Sequence, residues 1–426
     1  MLLCQRWPYE LLQAIKAMAK TSISLFRIGF QSVLSRKAVT IMLVCSIGLS
    51  TALLVGVQAV KSSAKVSFSH SLSGTDLLVG PRGGDIELMM YMVFHVGQPS
   101  ALMDWSTIAD IRQHPQIQWL VPISLGDSHR GHRVIGTTSD YFTHMRYGKK
   151  QSLSFHRGRA FNAPYEVVIG AAVAKKHNYR IGDSLYIAHG APSRAQRIHK
   201  QQPFVVVGVL RPTATPVDQS VLVSLSSIEA IHDSSTSDQP KQWVPTAVTG
   251  CFVGLKSRLA VFSVQRQLKT AFSEPLSAII PGIALSQLWQ RLSIIDHAFL
   301  IITILVVCMA LMGLIVAMVL SLNQRHQELA ILRSLGCRPC QLVALLMIEA
   351  GVITIVGVGV GCLGVGIGGV LFGPWLTSQW GISVPVAHVY QSSLKLALWI
   401  CLSGIGVSIL PAYHAYRVGL AERLKR

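Results

Sequence analysis

The stretch HAFLIITILVVCMALMGLIVAMVLSL, residues 297–322, decides the fold. It contains no Asp, Glu, Lys or Arg, and it exceeds the ~20 apolar residues that cross a hydrocarbon core of ~30 Å. With no water in that layer, a backbone there closes its own hydrogen bonds as helix. Working outward, AVTIMLVCSIGLSTALLVGVQAV (residues 38–60) has the same character, and so, but for Glu349 and Lys395, do the runs at 342–373 and 394–414. A buried soluble helix would explain one such run; four in one chain argue for a membrane protein. The order is one span, a polar and turn-rich stretch over residues 61–296, then three spans.

The net charge of +19 invites a nucleic-acid reading, but its distribution argues against one. Arg6, Lys16, Lys20, Arg27, Arg36 and Lys37 precede the first span; Arg325, Arg333 and Arg338 follow the second; Arg417, Arg423, Lys425 and Arg426 close the chain. The loop at 374–393 has no Lys or Arg. Cationic residues near span ends stay on the cytoplasmic side. This predicts cytoplasmic termini, a cytoplasmic segment at 323–341, and extracytoplasmic positions for 61–296 and 374–393. Residues 61–296 carry 24 Lys and Arg against 15 Asp and Glu, a basic surface that water solvates and that anionic lipid headgroups would also suit. Residues 1–37 form the cytoplasmic N-terminal segment; from Leu11 to Lys37 they alternate apolar and basic residues at helical spacing and read as an amphipathic helix on the inner membrane surface. The apolar core after them is longer than a signal-peptide core, so an uncleaved anchor is expected. The tail is 415–426.

Of the eight cysteines, only Cys251 falls within 61–296, so no internal disulfide can staple that domain and it must stand on its own core. That domain mixes strand and helix patterns. EVVI (166–169) is a short apolar run before a helical pattern at 171–177. FVVVGVL (204–210) reads as a buried strand ended by Arg211 and Pro212. Further strands are expected at 184–188, 221–224 and 249–255, with helices at 225–232 and 260–272. Residues 283–295 continue helical into the second span. The expected class is therefore an α-helical membrane protein with four transmembrane helices and a large α+β extracytoplasmic domain between helices 1 and 2.

Several motifs invite chemistry and fail on context. Gly359, Gly361 and Gly364 match a dinucleotide-binding G-x-G-x-x-G, but inside an apolar run and with no strand before them. Gly357, Gly361, Gly364 and Gly368 instead share one helix face and suit close helix packing. Cys337 and Cys340 form a C-x-x-C without a βαβ surround. His129 and His132 are three apart, with His114, His144 and His156 scattered nearby; zinc-protease and zinc-finger spacings are missing, so no metal is expected. A phosphate-binding loop is also missing: Gly148-Lys149 is the only Gly-Lys, and residue 143 is Thr. The chain therefore carries no ATPase of its own. Glu349 is an acid inside a span, and such residues have a partner or a task; a salt bridge near the interface is expected. Asp296 has the same ambiguity. NQRHQELAILRSLG (323–336) is charged and amphipathic, with Leu329, Ile331, Leu332 and Leu335 on its apolar side and Arg325, Glu328 and Arg333 on its polar side. It reads as a solvated loop helix or as a docking helix for a cytoplasmic partner.

At this point the residues resemble a known family. ELAILRSLG (328–336) followed by QLVALLMIEA (341–350) is similar to the signature of FtsX-like permeases, the membrane subunits of ABC systems of the MacB, LolC/LolE and FtsX type. PAYHAYR (411–417) and AERL (421–424) resemble that family's closing segment. VVIGAAVA (167–174), IGDS (181–184), the 204–210 strand, TPVD (215–218) and TDLLVG (75–80) resemble the MacB-type periplasmic core domain.

The resemblance implies a permease subunit of an inner-membrane ABC system. A separate cytoplasmic ATPase, which holds the ATP and Mg²⁺, would dock on Arg325, Glu328, Leu332, Arg333 and Gly336. No cofactor is expected in this chain. A second permease copy is implied, as a homodimer or a heterodimer, together with membrane lipid and a periplasmic adaptor or lipoprotein. ATP-driven closure on the inner side would pass through long helices to the outer domain and move a lipid-linked or hydrophobic cargo. The alternative is an FtsX-like protein whose outer domain drives an extracytoplasmic enzyme and moves nothing. The sequence leaves the cargo unnamed.

Overall fold

A computed structural model of the chain describes residues 37–71, 74–190, 197–198, 202–232, 243–272, 274–324, 339–380 and 386–411. The chain divides into two compact units, one from Met1–Ser62, Ile295–Phe372 and Val384–Arg426, the other from Ser63–Ile294 and Gly373–Ser383.

The first unit is helical. Its helices are α1 (Lys37–His70), α2 (Pro281–Gln324), α3 (Pro339–Trp380) and α4 (Val386–Val407), of which α1 and α2 also run into the second unit. Among the described residues, four helices are long and apolar enough to cross a membrane: Lys37–His70, Pro281–Leu320, Val343–Gly373 and Leu394–Pro411. Both α2 and α3 open on a proline, where the missing N–H costs no helical hydrogen bond. Hydroxyls inside the apolar segments return to the chain: Thr51 donates to the Ile47 carbonyl and Thr354 to the Ala350 carbonyl, each at 2.8 Å. They are thus satisfied without water.

Helix α3 is the one around which the unit is built. Half (50%) of its apolar window is buried within the chain, against 11% for α2, whose apolar side chains therefore face outward. The shared core gathers Leu43, Ile47, Leu314, Leu346, Ala350 and Ile353. Part of the glycine face of α3 makes a tight seam with α1. A methyl group at Gly361 would lie 2.5 Å from the Gly48 carbonyl oxygen and 2.7 Å from Thr51 Cβ, and one at Gly357 would lie 2.9 Å from Ile47. Gly364 and Gly368, on the same face, have nothing within 4 Å of such a methyl. The stripe is therefore used over its first half, where two backbones touch, and left open over its second.

The second unit is α+β. Its main sheet is built from β1 (Leu77–Pro81), β2 (Ile117–His129), β3 (His132–Thr137), β4 (Phe155–Gly158), β5 (Glu166–Ile169), β6 (Phe204–Leu210), β7 (Ser220–Ser224), β8 (Gly250–Leu255) and β9 (Leu276–Ile279). The strands lie in the order β9-β1-β8-β2-β3-β7-β5-β6-β4. Two pairs are parallel, β3 with β7 and β5 with β6, and the other neighbours are antiparallel. The hairpin between β2 and β3 turns on Arg130 and Gly131, whose φ values of 45° and 86° suit a two-residue turn that matches strand twist. The turn sets His129 directly opposite His132. Leu77, Val79, Cys251 and Val253 contribute to one core cluster, while Val167, Ile169, Val206, Val221 and Val223 contribute to another. Cys251 is fully buried, and burial pushes its thiol pKa up.

Strands expected at 166–169, 204–210, 221–224 and 249–255, and helices at 171–177, 225–232 and 260–272, appear within two residues at each end. The helix expected through 283–295 is the start of α2. The stretch read as one strand at 184–188 is instead two short ones, Ser184–Leu185 and Ala188–His189, which pair with β6 and β2 respectively.

The seam makes a sharp contrast testable. Gly361→Ala pushes a methyl into backbone and should destabilise the protein by ~1–3 kcal/mol, whereas Gly364→Ala enters open space and should leave stability unchanged or slightly raised. Melting of the two variants in the same detergent checks this.

Candidate functional site

The coupling residues Arg325, Glu328, Leu332, Arg333 and Gly336 lie outside the described residues. What the structure does show is how the flanking helices are held. In the helical unit, Lys61 of α1 and Asp296 of α2 form an ion pair at 2.6 Å, with side chains 40% and 38% exposed. This is the partner for Asp296. A pair this exposed contributes no more than ~1 kcal/mol, so it orients the helices more than it stabilises them. Sequence reasoning missed it because the two residues border different spans, more than two hundred positions apart.

Both helices then continue as part of the α+β unit. There Phe68 of α1 meets Phe94 edge-on at 4.3 Å between ring centroids and Trp289 of α2 at 5.9 Å. Phe68, Leu288 and Trp289 pack against the buried cluster that includes Leu78, Met92, Phe94 and Phe252. Edge-to-face aromatic contacts of this kind contribute ~0.5–1.5 kcal/mol beyond area burial. The ends of α1 and α2 are therefore seated in the core of the sheet domain.

Beside that core, the loop after the helix Asp85–Val93 is pinned to the sheet. His95 has a φ of 57°, and its Nδ1 lies 3.0 Å from Ser220 Oγ on β7. The Arg133 guanidinium of β3 donates to the carbonyls of His95 and Gly97. Burial, then the Arg133 charge, drives the His95 pKa down to about 3. A second pin is Asp218, whose carboxylate accepts from the Thr213 amide, the Thr213 hydroxyl and the Ala214 amide, each at 2.8 Å. Burial still raises its pKa against those hydrogen bonds. The TPVD segment is thus a turn lock.

Next to it, imidazoles gather. His132 Nδ1 faces the Gln219 carbonyl at 3.0 Å and its Nε2 lies 3.2 Å from His177 Nε2. His129 Nδ1 faces the Tyr186 carbonyl at 2.6 Å and its Nε2 lies 2.9 Å from the Tyr179 hydroxyl. Burial holds His132 down at about 4 and also lowers His129 and His177. The His129/His132 spacing was visible in the sequence; the approach of His177, which ends the helix Ala171–His177, was not. His114 stands apart, bonded to Gln267 at 2.9 Å, and His144 stacks on Trp119. Among the described residues there is no group of three or more His, Cys, Asp and Glu side chains set to hold a metal ion. Glu349 is buried within α3, at 8% exposure. Gly357 and Gly361 sit in the seam with α1, and Gly364 and Gly368 do not.

Two family models match the chain: the MacB-like periplasmic core domain over residues 40–271 and the FtsX-like permease C-terminal domain over residues 298–420. Two solved structures are similar to it. One is the periplasmic region of MacB from Actinobacillus actinomycetemcomitans, at 13% identity over 52% of this chain and 94% of that one, TM-score 0.34. The other is the extracellular domain of the noncanonic ABC-type transporter YknZ from Gram-positive bacteria, at 15% identity over 48% and 98%, TM-score 0.29. No curated protein matches. The chain belongs to the MacB/FtsX-type family of ABC transporter permeases. It is a membrane protein with an extracytoplasmic domain, and subunits of this family are typically non-catalytic, work with an ABC ATPase and assemble as dimers.

The His95 pin carries a pH signature. A histidine whose pKa is about 3 when folded and ~6.5 when unfolded takes up its proton more readily in the unfolded chain. Its contribution to stability is complete above the unfolded value and is lost progressively as pH falls toward 3. Between pH 7 and pH 5 the loss is about 2 kcal/mol. Asn accepts the same φ without titrating, so melting of His95→Asn should fall less with pH over that range than melting of the parent chain.

Proposed function

We propose that this chain is the permease subunit of an inner-membrane, MacB/LolC-like ABC transport system. Both termini and the 323–341 segment lie in the cytoplasm, and the α+β domain lies in the periplasm between the first and second spans. A separate ATPase binds ATP and Mg²⁺ and docks on Arg325, Glu328, Leu332, Arg333 and Gly336. Nucleotide-driven movement there is passed along α1 and α2 to the α+β domain, which acts on a lipid-linked or hydrophobic cargo. The observation that carries this reading is that α1 and α2 each have residues in both units and end in the sheet domain's core through Phe68 and Trp289. A helix of 44 residues such as α2 spans ~66 Å at 1.5 Å per residue, and its backbone hydrogen bonds resist bending. The partner is a second permease, either identical or a paralogue, and a periplasmic adaptor or lipoprotein completes the path. Co-purification with lipoproteins supports cargo movement; co-purification with a cell-wall hydrolase supports the mechanical alternative.

Replacing Glu328 and Arg333 together by Ala should leave the protein in the membrane at normal level and cut the permease-stimulated ATPase rate by about tenfold, the equivalent of ~1.4 kcal/mol of coupling. Unchanged ATPase binding and rate in that variant would remove the docking assignment.

A further inference from the structure

The imidazole cluster of the α+β domain plays no part in the coupling path, and its hydrogen bonds leave one nitrogen over. His129 ends β2, Arg130 and Gly131 make the turn, His132 begins β3, and His177 ends the helix Ala171–His177. The carbonyls of Tyr186 and Gln219 face His129 Nδ1 and His132 Nδ1, and a carbonyl can only accept. Both rings therefore hold their proton on Nδ1 and use Nε2 as an acceptor. The Tyr179 hydroxyl donates to His129 Nε2 at 2.9 Å. His177 must donate from its own Nε2 to His132 Nε2, at 3.2 Å. The tautomer of neutral His177 is thus fixed, with hydrogen on Nε2 and a lone pair on Nδ1. Among the described residues no hydrogen bond reaches that Nδ1. The charges around it are of one sign. Arg130 lies 6.0 Å from the Tyr179 ring, which is 5.7 Å from the His177 ring, and Lys176 is the residue before His177. Both cations are exposed, and among the described residues neither has an ion pair. Burial, then Arg130 and Lys176, lowers the His177 pKa, and no carboxylate bears on any of the three imidazoles.

We propose that Arg130, Lys176 and His177 form a site for a tetrahedral oxyanion of the phosphate-monoester class, bound together with a proton on His177 Nδ1. The two fixed cations match a dianion. Arg130 offers a planar fork of donors and Lys176 a compact ammonium, and a phosphate presents three acceptor oxygens. The third donor exists only when His177 Nδ1 is protonated. Its Nε2–H bond to His132 is the same in the neutral and the charged ring, so the proton is added without breaking the cluster. His129 and His132 stay neutral, because each uses its Nε2 lone pair in the bond it already accepts. They are buried, whereas His177 is half-buried, so His177 is the ring that faces the ligand. The coupling to pH has a definite sign. A bound dianion offsets Arg130 and Lys176, favours the charged imidazole and raises its pKa. Affinity is therefore greatest in acid and falls as pH rises through the value His177 has in the complex. The phosphate group is the shared chemistry of a free anion and of a lipid headgroup. The site belongs to the α+β domain alone and does not depend on the transport reading.

The test uses the full-length protein, without a histidine tag, in detergent. Sulfate is the first probe, because it is a tetrahedral dianion that does not itself titrate near neutral pH; inorganic phosphate and a short-chain phosphatidic acid follow. Calorimetry at several pH values, in buffers of different ionisation enthalpy, reads affinity and proton uptake separately. The expected result is a saturable site whose sulfate affinity rises as pH falls, with a proton taken up on binding. Affinity should weaken about tenfold (~1.4 kcal/mol) in Arg130→Gln and in Lys176→Gln, both exposed positions whose loss leaves the core intact. It should be unchanged in Lys269→Gln, on the helix Val261–Thr270 outside the cluster. His177→Gln can still donate to the His132 lone pair but cannot titrate, so it should bind without proton uptake. Phosphatidic acid binding more tightly than inorganic phosphate assigns the site to a lipid headgroup, and equal binding assigns it to a free anion. Equal sulfate affinity in the parent and in an Arg130→Gln, Lys176→Gln double variant overturns the proposal. So does proton uptake that persists in His177→Gln, or a weakening as large in Lys269→Gln.

Discussion

Two helices bear the structure's central constraint. Residues of α1 and α2 in the apolar unit must keep every backbone hydrogen bond internal, because hydrocarbon offers no replacement. The same helices then supply Phe68 and Trp289 to the core of the sheet domain. Neither helix can unwind locally without exposing peptide groups in the first setting or opening a cavity in the second. That double obligation, more than any single contact, makes them suited to carry motion. The Lys61–Asp296 pair is weak by comparison, since two-fifths-exposed charges are screened and well solvated; its value is to fix which faces of α1 and α2 meet.

The helical unit shows how little specificity apolar character supplies by itself. Lipid is as apolar as leucine, so burying leucine gives no preference for one helix neighbour over another. Shape decides instead. Gly48, Gly357 and Gly361 let the α1 and α3 backbones touch, and Thr354 closes on Gly404 in the same manner. In the sheet domain the usual driving force returns. Its core rests on Leu, Val and Ile of alternate strand positions, with the burial of a polar group such as the Asp218 carboxylate offset by several hydrogen bonds.

Much of this was legible in the sequence, and for physical reasons. The apolar runs are read by length alone, so the long helices could be placed directly. Strands such as FVVVGVL (204–210) announce themselves because the apolar run is continuous, although Val205 on the second face is exposed and Val207 half-buried. The hairpin over 117–137 was passed over: its residues mix Gln, Ser, Gly, Asp and His with the apolar positions, and its turn, Arg130-Gly131, is not one of the common hairpin pairs. Short elements such as Asp85–Val93 and β9 gave too few residues to show a period. At the candidate sites, the sequence located Asp296 and the His129/His132 spacing but not Lys61 or His177, because a partner brought in by tertiary structure leaves no mark on local pattern. The four-glycine stripe was read as one packing face, and only the structure separates the half that touches α1 from the half that does not.

The central claim is that α1 and α2 transmit ATP-driven movement to the extracytoplasmic domain. Spin-label distances between the extracytoplasmic domains of the two permease copies, measured in the assembled complex with and without ATP, test it most directly when repeated on a chain carrying three glycines inserted after Ser293 of α2. The account predicts an ATP-dependent change in distance that the insertion abolishes while ATP hydrolysis continues. A change that survives the insertion undiminished would contradict it.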